Sequence, residues 1–210
     1  DRDIGDRTLV LEQMLTTGGG WQDQYGGILH GIKQLETKPG LDQIPDVRWL
    51  PKTLFNDPVY MPSLLLYYTG ITRVAKDLLG EIVRGMFLNK KEHLDILNRL
   101  FLHAGEVNDL IQRGQFEGVG RAIRRTWELN QQLDAGTNPE EVQNILKPID
   151  DWLLGMKLLG AGGGGYILMV AKDSNAAVSI RKHLEKNPPN SKARFVQFIV
   201  SDTGLQVTRS

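Results

Sequence analysis

The middle of the chain contains four successive segments in which apolar residues recur at the spacing of an α-helix. The segments cover residues 71–88, 90–114, 116–133 and 139–152. Positions i, i+3, i+4 and i+7 lie on one face of a helix, so each segment has an apolar face to bury. Gly114 ends the second segment, and Pro148 is expected to kink the fourth. Asn138 is a candidate N-cap with Pro139 in the first turn of that helix. The pattern predicts a bundle of about four helices.

Strand signals lie on both sides of these helices. Apolar runs typical of buried strands occur in "SLLLYYT", "GGYILMVAK", "ARFVQFIVS" and "LQVTR", at residues 63–69, 164–172, 193–201 and 205–209. Residues 4–15 have the pattern of an amphipathic helix, and "AAVSIRKHLEK" at 176–186 predicts a helix between two of the strands. We therefore predict an α+β domain whose two ends share an antiparallel or mixed sheet, with a βαβ-type return at the C-terminus.

Composition excludes several classes of function. The 210 residues, 40% of them hydrophobic, fit one globular domain, and 25 basic side chains balance 25 acidic ones. No net charge therefore attracts nucleic acid or an anionic membrane. The absence of cysteine excludes thiolate chemistry, and the four histidines lack the spacing of a metal site. Apolar runs are far shorter than the roughly 20 residues of a membrane span, and the opening residues do not resemble a signal peptide. We expect a cytoplasmic protein without nucleic-acid or membrane partners.

Two glycine-rich segments are the candidate functional sites. In "TTGGGWQDQYGG", at 16–27, glycines stand on both sides of the carboxylate of Asp23. In "KLLGAGGGGY" the cluster consists of Gly160, Ala161, Gly162, Gly163, Gly164 and Gly165. Backbone amides without side chains can form an anion-binding nest, although one or two glycines alone would more simply make a tight turn. A strand follows the second cluster, so it is not a Walker loop.

Together, the two segments suggest phosphoryl transfer. If both ends of the chain share one sheet, a carboxylate would face a phosphate cradle, which suits a base for an attacking hydroxyl. An acid in a glycine-rich segment is also a common turn or cap residue, and that interpretation of Asp23 stays open.

The segments "GGGWQDQYGG", "YYTGITRVAKDLL" and "KLLGAGGGGY" together resemble the C-terminal half of the GHMP small-molecule kinases. Within that family they are most similar to L-fucokinases, including the bifunctional type that also carries a GDP-fucose pyrophosphorylase. The resemblance implies an ATP-dependent sugar kinase that converts L-fucose to L-fucose 1-phosphate in GDP-fucose salvage. It identifies Asp23 with the catalytic aspartate that orients or deprotonates the attacking anomeric hydroxyl.

The same resemblance implies the remaining site residues. The glycine-rich motif at 157–166 would lie beside the phosphates and the substrate. Candidate substrate-binding residues are Trp21, Gln22, Tyr68, Thr69 and Arg73. An arginine at position 73 could stabilise the transferring charge, although a solvated residue in the first turn of a helix is an equally ordinary interpretation. The cofactors implied are ATP and Mg²⁺.

One family feature is absent from the sequence. The nucleotide-binding loop of the type Pro-x-x-x-Gly-Leu-Gly-Ser-Ser-Ala does not occur in the 210 residues, and no Mg²⁺ ligands can be identified. We therefore expect residues 1–210 to be the C-terminal domain of a longer enzyme. Its partners would be the missing N-terminal half, ATP and L-fucose or a related sugar, and the chain alone would be inactive. The alternatives are a heptose-phosphate kinase of the same family and a non-catalytic oligomerisation or regulatory module.

Overall fold

The computed structural model describes residues 2–14, 21–40, 44–71, 75–160 and 162–208. The helices are α1 (Arg2–Met14), α2 (Gln22–Ile28), α3 (Thr53–Asn56), α4 (Ala75–Phe87), α5 (Lys91–Gln112), α6 (Phe116–Leu133), α7 (Glu140–Leu146) and α8 (Ser174–Lys186). Short 3-10 helices cover Met61–Ser63, Ala135–Thr137 and Lys147–Trp152. The strands are β1 (Ile32–Glu36), β2 (Asp46–Leu50), β3 (Leu64–Tyr68), β4 (Leu153–Leu158), β5 (Tyr166–Ala171) and β6 (Arg194–Val196).

Four strands form the main sheet, in the order β4-β5-β3-β6, and each neighbouring pair is antiparallel. Strands β5 and β6 are both antiparallel to β3, which lies between them, so they run parallel to each other and α8 connects them. This is a βαβ return of the kind predicted. The order β3, helices, β4, β5, α8, β6 corresponds to the split βαβ, or ferredoxin-like, arrangement. The predicted α+β class is confirmed.

The two faces of this sheet bury different helices because side chains alternate along each strand. On one face, Leu65, Tyr67 and Met169 pack with residues of α7 and α8, and Trp127 of α6 joins this cluster. On the other face, Leu64 and Val170 pack with residues of α3, α5 and α6. Both clusters are almost completely buried, so the sheet is the central layer of the domain.

Close backbone contact fixes α6 against β4. A Cβ atom on Gly155 of β4 would overlap the carbonyl oxygen of Gly120 in α6. The guanidinium of Arg124 donates to the backbone oxygens of Leu153 and Leu154 at 3.2 and 3.1 Å. The helix bundle is therefore joined directly to the strand that leads into the glycine-rich segment.

Four local features differ from the sequence predictions. Strand β4 was not predicted, and residues 205–208 form no strand. Instead the C-terminal tail lies against the start of the chain, where the amide of Leu205 donates to the Ile28 oxygen and the amide of Gly31 to the Ser201 oxygen. Helix α7 begins at Glu140 with Pro139 at the N-cap position, one residue later than the predicted cap at Asn138. The kink expected at Pro148 appears as a change from α-helix to 3-10 helix.

Candidate functional site

The glycine-rich segment is the connection between β4 and β5. Residues 159–165 form this loop, which the hydrogen bond from the Leu159 amide to the Tyr166 oxygen closes at 2.8 Å. The φ angles are positive at Gly160, Gly162, Gly163 and Gly165, between +77° and +108°. L-residues with a Cβ rarely adopt such angles, so the loop requires glycine at these positions. Ala161 lies outside the described residues.

The loop packs on two neighbouring segments of backbone. The Gly163 amide donates to the Thr137 oxygen at 3.2 Å, and the Gly165 amide donates to the Ile71 oxygen at 3.0 Å. A Cβ atom on Gly164 would lie 2.5 Å from that same Ile71 oxygen. Two of the amides expected in an anion nest are therefore bonded within the protein. Within the described part of the chain, the amide of Gly164 donates to no acceptor.

Thr69 joins the loop to the end of β3. Its side chain is completely buried, and both its amide and its hydroxyl donate to the Gly165 oxygen at 2.9 Å. The same hydroxyl accepts a hydrogen bond of 3.1 Å from the Ile71 amide. The Thr69 hydroxyl is thus used inside the protein, between the glycine-rich loop and the segment that leads towards α4.

Asn190, in the connection between α8 and β6, holds the other side of this junction. Its Nδ2 donates to the Thr69 oxygen at 2.8 Å, and its Oδ1 accepts from the amides of Lys192 and Ala193 at 2.9 and 3.1 Å. Gly70 has a φ of +70°, and a Cβ there would overlap the Asn190 side chain. The sequence analysis missed both Asn190 and Thr137. The one available signal for Asn190 was "PPNS", a turn-forming run after a helix.

Tyr68 lies on the sheet surface beside the loop. Its ring is 5.0 Å from the ring of Tyr166, and the guanidinium of Arg194 lies 5.0 Å above it. Alternation along β4 places Lys157 on the same face of the sheet, opposite Leu168. Burial lowers the pKa of Lys157 from its ordinary value, and its Nζ donates to the Leu158 oxygen at 3.3 Å. This surface combines two aromatic rings with two cationic side chains.

Asp23 lies in the first turn of α2, and its side chain is exposed. Gln22 beside it is also exposed. The half-buried ring of Trp21 meets that of Tyr25, a buried residue of α2 itself, edge to face at 5.5 Å, so this contact lies within the start of the helix. Among the described residues, no hydrogen bond, ion pair or ring contact joins Asp23 to the glycine-rich loop.

Several predicted features fall outside the described residues or have no described counterpart. Arg73 and the glycines of 15–20 lie outside them. In the described ranges, no group of three or more His, Asp or Glu side chains could hold a metal ion. None of the helices in the described part of the chain is long and apolar enough to cross a membrane.

Comparison with known proteins identifies relatives along the whole chain. The chain is 58% identical over 208 residues to the L-fucokinase/L-fucose-1-P guanylyltransferase of Bacteroides fragilis, a match that covers 99% of this chain and 22% of that protein. It is 32% identical over 191 residues to the bifunctional fucokinase/GDP-fucose pyrophosphorylase of Arabidopsis thaliana, covering 89% and 18%. The chain thus spans about a fifth of the length of these curated relatives.

The fold also matches solved kinases. The crystal structure of L. major mevalonate kinase in complex with R-mevalonate superposes with a TM-score of 0.62 at 19% identity, covering 76% of this chain and 46% of that chain. The family model described as GHMP kinases C terminal matches residues 107–190, which contain α6, the glycine-rich loop and Asn190. Residues 107–190 therefore match the C-terminal region of the GHMP kinases.

Proposed function

We propose that residues 1–210 form the C-terminal part of an ATP-dependent sugar kinase that phosphorylates the anomeric hydroxyl of L-fucose. The observation that carries the proposal is the 58% identity over 208 residues to a protein named as an L-fucokinase. The described geometry is compatible with it, because a glycine-rich loop and an exposed carboxylate are both present.

The proposed reaction is a direct transfer of the γ-phosphoryl group. The anomeric oxygen of the sugar forms a bond to the γ-phosphorus, the bond from that phosphorus to the β–γ bridging oxygen breaks, and ADP leaves. The proton of the hydroxyl passes to the carboxylate of Asp23, whose exposure leaves it free to meet a substrate. The glycine-rich loop would lie beside the phosphates, with loop amides such as that of Gly164, which donates to no backbone acceptor in the described residues, as candidate donors.

The rest of the site would come from the N-terminal part of the longer polypeptide. We assign the Mg²⁺ ligands and the main cradle of the nucleotide to that part, because the nucleotide-binding loop of the family does not occur in the 210 residues. Trp21, Gln22, Tyr68 and Arg73 are the proposed sugar contacts from this chain. The chain alone should then show no turnover with ATP, Mg²⁺ and L-fucose.

The test is transfer of labelled phosphate from ATP to L-fucose by the full-length protein. Asp23→Asn should lower kcat by about 10²–10⁴-fold, the range for loss of a general base. Glu92→Gln is the matched control, because Glu92 is also an exposed acid in the first turn of a helix. It should leave kcat unchanged.

Two outcomes would contradict different parts of the proposal. A wild-type enzyme that ignores L-fucose but phosphorylates galactose or a heptose phosphate would overturn the substrate. A wild-type enzyme that accepts L-fucose, with Asp23→Asn as active as Glu92→Gln, would overturn the role of Asp23.

A further inference from the structure

We propose that Thr69 and Asn190 are positioning residues that hold the glycine-rich loop in register with Gly70 and Ile71, which follow β3, and that they do not contact the sugar. We call these two side chains and their shared hydrogen bonds the junction bracket. The inference rests on the proposed kinase function. It replaces the role of substrate contact that the family resemblance suggested for Thr69.

Burial and hydrogen bonding rule out a contact between the Thr69 side chain and the substrate. Its side chain has no accessible surface, and its hydroxyl has one acceptor, the Gly165 oxygen, and one donor, the Ile71 amide. A hydroxyl carries one proton to donate, and that proton is already in use. The remaining function of this side chain is mechanical, because it spans the gap between the loop and the segment after β3.

Asn190 completes the bracket from a third segment of the chain. Each polar atom of its amide has a partner: Nδ2 bonds the Thr69 oxygen, and Oδ1 bonds two backbone amides of its own turn. The Oδ1 contacts fix the orientation of the Asn190 side chain. The Nδ2 contact then holds the backbone oxygen of Thr69 in place. Gly70 follows directly, with its left-handed φ of +70° and no room for a Cβ against Asn190.

The bracket sets the relative position of two segments proposed to face the substrates. One is the glycine-rich loop, and the other is the end of β3 with Gly70 and Ile71. The Ile71 oxygen itself accepts from the Gly165 amide at 3.0 Å, so the two segments are bonded in both directions. Misplacing reacting groups by about 1 Å can cost about 10²-fold in rate, so these contacts should affect turnover without any contact to substrate.

The test isolates the single donor of Asn190 in the full-length enzyme. Asn190→Asp keeps an acceptor oxygen for Lys192 and Ala193 but replaces the donor to Thr69 with an oxygen. Asn187→Asp is the matched control, because Nδ2 of Asn187 donates to the His183 oxygen at 3.0 Å, at the end of the same helix. Both substitutions add the same charge near the C-terminus of α8.

Thr69 supplies an independent pair of variants. Thr69→Val keeps the shape and removes both hydroxyl bonds, whereas Thr69→Ser keeps both bonds. We expect Asn190→Asp and Thr69→Val to lower kcat about tenfold to a hundredfold. The KM for the sugar should change less than about threefold because no sugar contact is lost. Asn187→Asp and Thr69→Ser should stay within about twofold of wild-type kcat.

The outcomes separate this inference from the proposed function. If the wild-type enzyme transfers no phosphate to any sugar, the proposed function is wrong and the bracket has no reaction to position. If wild type is active and Asn190→Asp matches Asn187→Asp in kcat, with both folded by circular dichroism, the bracket is purely structural and the inference is overturned. A large rise in KM for the sugar on Thr69→Val, with kcat unchanged, would also overturn it by restoring Thr69 as a substrate contact.

Discussion

The two glycine-rich regions look alike in sequence and differ in structure. In the loop between β4 and β5, four glycines have positive φ, and Gly164 approaches the Ile71 oxygen more closely than any Cβ would allow. In α2, Gly26 and Gly27 are helical, and no described atom lies within 4 Å of the position that a Cβ would take. Glycine is sterically required in the first region and is not required by the described packing in the second.

This difference changes how a glycine cluster should be interpreted. The sequence suggested that the glycines on both sides of Asp23 belong to a functional site. For Gly26 and Gly27, the described packing does not support that suggestion, because an alanine would fit at both positions. In the loop, by contrast, the glycines serve the packing of three chain segments on one another, before any ligand is considered.

The largest expected effect is at Gly164. An alanine there would place its Cβ 2.5 Å from a backbone oxygen that cannot move without breaking the Gly165 contact. Overpacking costs typically 1–3 kcal/mol, so Gly164→Ala should lower the free energy of unfolding by about 3 kcal/mol. Urea denaturation followed by circular dichroism measures it. An unchanged urea midpoint would show that the loop can move away from Ile71. Glycine would then not be sterically required at position 164.

Lys157 tests whether the surface beside the loop is built for packing or for a ligand. Burial lowers its pKa below the ordinary value of 10.5, so the ammonium form is disfavoured in the folded state. Lys157→Met should therefore stabilise the chain at pH 7. The unfolded state binds the Lys157 proton more tightly than the folded state does. The free energy of unfolding of the wild type therefore rises as the pH increases from the pKa of Lys157 in the folded state towards 10.5. Over that range the stability advantage of Lys157→Met becomes smaller.

The matched control is Lys182→Met, which changes an exposed lysine of α8 and should alter stability little at either pH. Unfolding curves at neutral and alkaline pH distinguish the two variants. If Lys157→Met destabilises the chain at pH 7, the cost of burying the Lys157 ammonium is offset in the folded state. The cation would then have a compensating contact within the protein. Loss of kinase activity in a stabilised Lys157→Met enzyme would instead indicate that an anionic ligand compensates the charge.

Much of the fold could be predicted because its signals are local. Helix α6 has the predicted bounds, since its apolar face repeats at helical spacing and turn residues stand at both ends. Strand β4 was missed because Leu153, Met156 and Leu158 face one core cluster while Leu154 packs in the other, so no polar alternation marks it. The strand predicted at the C-terminus is wrong because those residues pair with the backbone near Ile28, a partner that no local pattern reveals.

The candidate site also has parts that local sequence reveals and parts that depend on distant contacts. The glycine-rich loop and the carboxylate of Asp23 stand out by composition within a dozen residues, so the sequence identified both as candidates. The junction bracket depends on contacts between Thr69 and residues 96 and 121 positions away, and nothing local predicts which carbonyl an asparagine side chain will reach. Long-range hydrogen bonds of this kind were available only from the structure.

Gly27→Ala, in the other glycine region, should have the smallest effect of these substitutions, and it tests directly how the two regions differ. Gly27→Ala replaces a helical glycine with the best helix former at a position with open space, so it should raise the free energy of unfolding by about 0.5–1 kcal/mol. The same urea denaturation used for Gly164→Ala measures it, and the opposite signs of the two changes would establish that the clusters use glycine for different reasons. Kinase activity of the full-length Gly27→Ala protein should stay within about twofold of wild type, since no contact that determines rate is removed. A variant that is more stable and yet inactive would show that a ligand, or the proposed N-terminal part of the polypeptide, approaches this helix closely, and the glycines beside Asp23 would then belong to the site.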